Sequence, residues 1–183
     1  MTDPSSARGH FDWFSKARSR LWAKRPPDLK NVPTPALLAG TFFYTGLSPI
    51  GSGTVGSLAA AAIYAVLPGL QNPVILALAC IVVLFVGIWS GGVIEHILHI
   101  QDPGIVVIDE VLGQWMALLT LQFAGNLTYI VLAFVFFRIF DVLKPPPARY
   151  FEKKKGGTGI MLDDAVAGIY AWIAAHLVMW IFS

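Results

Sequence analysis

"GIVVIDEVLGQW", Gly104 to Trp115, sets two adjacent carboxylates, Asp109 and Glu110, inside an apolar run. How this stretch is read decides the fold. The apolar residues after it, Val111 to Phe123, reach the roughly 20 residues of a membrane-crossing helix only if that helix begins near Gly104. Both acids then fall in its first turns. Neighbours on a helix point about 100° apart, so the two acids can line one pocket but cannot both face lipid cheaply.

The rest of the chain is as apolar as this reading needs. Of 183 residues 56% are hydrophobic and 13% charged, against about 25% charged in a soluble domain. That composition points to an integral membrane protein. Every Lys and Arg lies between Arg8 and Lys30 or between Arg138 and Lys155. Apolar runs predict helices at 55–70, 73–94, 104–123, 125–140 and 160–182. Short basic segments stay on the cytoplasmic side, so both basic clusters are expected there, and the uncharged connections "PGLQN" and "FAGNL" outside. Counting "TPALLAGTFFYTGLSP", Thr34 to Pro49, as a further span would invert this order. It is therefore read as an interfacial or re-entrant piece. The expected fold is all-α, a polytopic membrane helical bundle of about five helices plus that segment. A basic cytoplasmic arm (1–33) precedes a single membrane-embedded domain (34–183), and Phe11, Trp13, Phe14, Leu21 and Trp22 suit the arm to an anionic membrane surface.

Four constellations converge on the cytoplasmic side. "GLSPIGSGTVGSL" carries Gly51, Gly53 and Gly56 at dinucleotide-loop spacing, but no acid follows about 20 residues on, and the Walker lysine is absent. What survives is a Gly-rich turn at a helix start, with Thr54 and Ser57 hydroxyls, suited to an anion or simply to tight packing. "DPGIVVIDEVLGQW" adds Asp102, Asp109 and Glu110, with Gln114 on the Glu110 face. In "RIFDVLKPPP", Arg138, Asp141 and Lys144 recur every three residues. The two cations suit a helix C-terminus, whereas Asp141 does not. "GGTGIMLDDAVAGIYA" places Asp163 and Asp164 at the opening of the last helix, where N-capping explains one acid only, before the small residues Ala165, Ala167 and Gly168.

The remaining candidates are plainer. Cys80, alone in "ILALACIVVLFV", excludes an internal disulfide and reads as a packing residue. His96 and His99 sit three apart with Glu95 nearby but without a further partner at ligand spacing, and they read as solvated. His176 reads as a packed histidine, and "NLT" at Asn126 is a weak glycosylation match. Carboxylates with two cations and a phosphate-suited turn imply hard oxygen ligation of Mg²⁺ and phosphoryl chemistry on a membrane-borne substrate. A cation transporter is the rival, and it predicts polar residues through the full membrane depth. The outer halves "MALLTLQFA" and "IAAHLVMWIF" are apolar apart from Thr120, Gln122 and His176.

In order and spacing, the four motifs resemble phosphatidylglycerophosphatase A, a bacterial membrane lipid phosphatase, from about Gly40 to Ala171. The resemblance implies Mg²⁺-dependent hydrolysis of phosphatidylglycerophosphate to phosphatidylglycerol and phosphate, a step of phospholipid biosynthesis. It further implies a multi-pass enzyme of the inner membrane with its site facing the cytoplasm. Its partners would be the phospholipid substrate and membrane lipids, with no nucleic acid. Asp109, Glu110, Asp163 and Asp164 match the acidic motifs as metal and catalytic candidates, Asp141 joins them as a metal ligand, and Arg138 and Lys144, with Thr54 and Ser57, would hold phosphate. One position departs from the pattern: Ser52 stands where the family usually has proline.

The topology makes a direct prediction. A reporter enzyme fused after Lys155 should be active only if it is a cytoplasmic reporter; activity confined to an exported reporter would invert the arrangement.

Overall fold

Asn72 and Pro73 start the longest apolar stretch as a helix for local reasons. The Asn72 carboxamide oxygen accepts from the Val74 and Ile75 amides at 2.9 and 3.4 Å, and proline at the first helical position has no N–H to leave unpaired. In the computed structural model, which describes residues 28–182 apart from 121 and 152, this helix runs Pro73–Leu98. In chain order the described helices are α1 Thr34–Gly40, α2 Ser52–Val66, α3 Pro73–Leu98, α4 Ile108–Ala117, α5 Leu127–Leu143, α6 Ala148–Phe151 and α7 Gly157–Phe182. No strand occurs among the described residues. Residues Val32–Ser183 form one compact unit. The basic stretch 1–27, with the aromatic residues that suggested membrane-surface binding, lies outside the described residues.

The all-helical expectation holds, and the helix bounds need correction. Two helices, α3 and α7, are long and apolar enough to cross a membrane; at 26 residues each they extend about 39 Å. The expected span 104–123 is the clearest departure. Its helix begins at Ile108 and stops at Ala117, ten residues or ~15 Å, half of a bilayer core. The apolar segment 34–49 is broken as well: α1 ends at Gly40, and Phe42, Phe43 and Tyr44 all take positive φ before a 3₁₀ turn at Thr45–Leu47. Asp163 and Asp164 do not open the last helix, because the "GTG" before them is already helical from Gly157. N-capping therefore explains neither acid.

Short α4 is the centre of the fold. It packs on α2, α3, α5 and α7, most extensively on α7. Eight of its ten residues are buried: Ile108, Asp109, Val111, Leu112, Gly113, Gln114, Trp115 and Ala117. The Trp115 indole N–H donates to the Ala60 carbonyl at 3.0 Å and ties α4 to α2. Where α4 stops, its carbonyls need donors that a continued helix would have supplied. The long helices provide them. The Tyr129 hydroxyl donates to the Ala117 carbonyl at 2.9 Å, and the Trp172 indole N–H donates to the Leu119 carbonyl. His176 joins the two donors, with Nδ1 3.0 Å from the Tyr129 hydroxyl and Nε2 3.1 Å from Thr120 Oγ1. Asn126, the sequon position, caps α5 through a 3.1 Å bond from the Tyr129 amide. His176 is thus packed, as its surroundings in sequence suggest, but it is also a polar connector between α7 and the chain that leaves α4.

Removing one capping donor tests this account. Tyr129→Phe keeps the ring and loses the bond to Ala117, so unfolding in detergent should need about 1 kcal/mol less. An unchanged melting temperature would show that the hydroxyl does not support the end of α4.

Candidate metal centre

Two close backbone approaches bring the acids together. A Cβ at Gly113 would collide with the Phe137 ring and stand 2.7 Å from the Asp164 carbonyl oxygen, and one at Gly168 would collide with the Gly113 carbonyl. Only hydrogen at both positions lets α4 and α7 touch backbone to backbone. Asp109 and Glu110 lie one turn above Gly113, and Asp164 lies one turn above Gly168. The same contact therefore juxtaposes their carboxyl groups.

The result is a cluster in which one oxygen each of Asp109, Glu110 and Asp164 lies within 4.8 Å of the others. Asp109 and Asp164 are 7% and 3% exposed. Asp109 Oδ1, Glu110 Oε2 and Asp164 Oδ2 are buried oxygens with no hydrogen-bond partner among the described residues. Three ionised carboxylates in such a volume call for a counter-charge or for protons, since burial costs several kcal/mol per unpaired ion and like charges repel. Hard, anionic, unpartnered oxygens at this spacing fit a divalent cation of the Mg²⁺ or Ca²⁺ type.

The other two candidate acids have cationic partners. Asp163 Oδ2 accepts from the Lys144 ammonium at 2.6 Å, and Asp163 Oδ1 accepts from the Asp164 amide at 3.1 Å. Asp141 Oδ2 is 2.8 Å from the Arg138 guanidinium. Lys144 sits at the α5 C-cap in the left-handed region, which swings its side chain from α5 toward α7. Asp163 adjoins Asp164, and Arg138 and the Glu110 carboxylate both approach Gly53, so the acid cluster is flanked by two fixed positive groups.

The Gly-rich turn closes the site from α2. Gly51 takes φ +54 as the α2 N-cap, a conformation that glycine adopts without strain. A Cβ at Gly53 would collide with the Glu110 carboxylate and stand 3.3 Å from the Arg138 guanidinium. The first turn of α2 therefore borders both the acids and Arg138, with amide N–H groups directed out of the helix end. Ser57 is fully buried; its hydroxyl donates to the Gly53 carbonyl at 2.8 Å and accepts from Arg138 at 3.4 Å. Thr54 is exposed on the turn. Ser52, the departure from the usual proline, has a contact the sequence did not announce. Its hydroxyl donates to the Gly104 carbonyl at 2.7 Å and fastens the turn to the segment that leads into α4. His96 and His99 are exposed away from this cluster, and Glu95 accepts from the Gly156 amide at 2.9 Å.

Comparison with known proteins gives a consistent family. The family model described as phosphatidylglycerophosphatase A matches residues 38–179. A Bacteroides thetaiotaomicron protein named "Putative phosphatidylinositol-3-phosphatase" is 39% identical over 154 residues, covering 80% of this chain and 95% of its own length. The Escherichia coli protein named phosphatidylglycerophosphatase A is 35% identical over 154 residues, with 84% of this chain and 83% of its own length covered. The Haemophilus influenzae protein of the same name is 33% identical over 147 residues, with 80% and 90% covered. No solved structure matches.

The glycine contact carries its own test. Gly168→Ala forces α7 away from α4 and should cost about 1–3 kcal/mol of stability as overpacking does, with divalent-cation binding weakened beyond that of a control such as Ala165→Gly on the same helix. Unchanged cation affinity in a folded Gly168→Ala protein would separate the helix contact from the acid cluster.

Proposed function

The chain belongs to the phosphatidylglycerophosphatase A family, and from that premise we propose that it is a Mg²⁺-dependent lipid phosphatase that hydrolyses phosphatidylglycerophosphate to phosphatidylglycerol and phosphate. The observation that carries the reading is the trio of buried, unpartnered carboxylate oxygens on Asp109, Glu110 and Asp164, beside Arg138 and the α2 turn. Nothing in the packing of α4 and α7 needs those charges, so they are there for a cation.

In this reading Asp109, Glu110 and Asp164 hold Mg²⁺. When bound, the ion supplies Lewis-acid polarisation of the phosphomonoester. The chain's own groups do the rest. Arg138, held by Asp141, and Lys144, held by Asp163, present fixed positive charge to the phosphate oxygens. The exposed Thr54 hydroxyl and the amides of the α2 turn add donors at a helix N-terminus. One carboxylate of the cluster orients or deprotonates the attacking water. Asp141 and Asp163 serve the site by fixing the two cations, and as hard oxygen donors they would be the further candidates to hold the metal.

The same reading places the enzyme in the bacterial inner membrane. The outward faces of α3 and α7 are large and apolar, including Leu78, Val82, Phe85 and Trp89 on α3 and Ile173, Leu177 and Trp180 on α7. Surfaces of this extent need lipid or protein cover. A multi-pass arrangement puts Arg138, Lys144 and the Gly-rich turn at the cytoplasmic boundary, where a phospholipid headgroup can reach a metal that stays wet. Hydrolysis there yields phosphatidylglycerol for phospholipid biosynthesis.

The assay is phosphate release from phosphatidylglycerophosphate in mixed micelles, with Mg²⁺ and with a chelator. Release should need Mg²⁺, and Asp109→Asn and Asp164→Asn should each lower it by roughly 10²-fold or more in folded protein. Retained Mg²⁺-dependent release in either variant would remove that acid from the mechanism. The name of the Bacteroides relative makes phosphatidylinositol 3-phosphate the substrate to run beside it, and faster release from that lipid would reassign the headgroup while leaving the metal chemistry in place.

A further inference from the structure

Gln114 is fully buried on α4, and neither its amide nitrogen nor its amide oxygen has a partner among the described residues. That is unusual within a packed core. A buried amide with both ends unpaired costs several kcal/mol, and such groups persist where something outside the fold's own bonding engages them. Its place on the helix says what it faces. Gln114 lies four residues after Glu110, on the same face and one turn deeper. Long helical side chains lean toward the helix N-terminus, which carries the Gln114 amide toward the Glu110 carboxylate.

The two groups are chemically complementary. Glu110 Oε2 is a buried acceptor without a partner, and Gln114 Nε2 is a buried donor without one. They do not bond each other directly. One water between them would answer both, accepting from Gln114 Nε2–H and donating to Glu110 Oε2. The other carboxylate oxygen of Glu110 points toward Gly53 and Arg138, so the bridge would fix the rotation of the carboxylate between the α2 turn and the interior.

We propose that Gln114 is a positioning residue that acts through Glu110, holding its carboxylate by way of one buried water in the orientation that binds the divalent cation. This rests on the reading of Asp109, Glu110 and Asp164 as the metal site. Groups behind a metal ligand fix its geometry, and their loss typically weakens metal binding or activity by roughly 10- to 100-fold.

The test is Gln114→Met, which keeps length and volume and removes both polar ends. Mg²⁺ binding to the purified full chain in detergent, followed by calorimetry without substrate, should weaken by roughly 10-fold. The metal-free melting temperature should not fall below that of wild type, because the amide is bonded to no protein group and an apolar side chain in its place removes a desolvation cost. In a Glu110→Gln background the same replacement should change Mg²⁺ affinity less than about twofold, as coupled residues do. Equal Mg²⁺ affinity of Gln114→Met and wild type overturns the proposal, as does a fall in the metal-free melting temperature beyond about 4 °C, which marks a structural role. A wild type that binds Mg²⁺ and releases no phosphate from any lipid phosphate sinks the proposed function alone, since the affinity comparison still decides the role of Gln114.

Discussion

The backbone contact between Gly113 on α4 and Gly168 on α7 is the constraint on which the rest of the molecule depends. It sets the distance between the two helices that carry Asp109, Glu110 and Asp164, and so sets whether three carboxyl groups share one volume or point into separate ones. A methyl group at either glycine would move the helices by more than a metal–oxygen bond can stretch. The acids work against that contact, because their mutual repulsion drives α4 from α7 when nothing neutralises them. Glycine packing and the proposed cation would therefore support the same helix spacing from opposite directions, one through dispersion between backbones and the other through charge.

The second consequence is the brevity of α4. A helix that ran on to Phe123 would have satisfied its own carbonyls; one that stops at Ala117 leaves them inside the bundle. Tyr129 and Trp172 answer that need from α5 and α7, and His176 links the Tyr129 hydroxyl to the Thr120 hydroxyl. Irregular backbone at membrane depth is tolerated where protein groups bond it. Thr120 and His176, polar residues in otherwise apolar segments, belong to this joint. They are not a pathway through the bundle, which is the arrangement a transporter would need.

Much of this was legible in the sequence, and the limits have physical reasons. Hydropathy finds α3 and α7 because a long apolar run has no other stable form. It overextends α4, since residues 118–123 are as apolar as a helix while the Leu119 carbonyl is taken by Trp172, distant in sequence. It also places Asp163 and Asp164 at a helix start, because Gly157 and Gly159 look like breakers. Those glycines are instead helical positions pressed against the Ile88 and Lys154 carbonyls. Motif spacing brings Asp109, Glu110 and Asp164 to notice but does not divide the five acids between a metal and the two cations. That division depends on where α5 ends, with Lys144 turned back toward Asp163. Ser52 was visible as a departure from the family pattern, whereas its bond to Gly104 is a contact across 52 positions that no local signal encodes.

The segment Gly104 to Trp115 gathers these constraints into one short piece of chain. Its aliphatic front, Val106 to Ile108, is buried, and the Val107 amide donates to the Gly40 carbonyl at 2.9 Å, so the approach to α4 is fixed before the helix begins. Its acids then face α2 and α7, Gly113 sets the helix spacing beneath them, and Trp115 bonds α2 at the next turn. Gln114 alone among its buried polar groups is neither an acid of the cluster nor bonded within the fold. A sequence selected only for packing would put leucine or methionine there, because an apolar side chain of the same size gives the core more than an unpaired amide does. On the proposed reading the amide supports the metal site from one turn below the carboxylates.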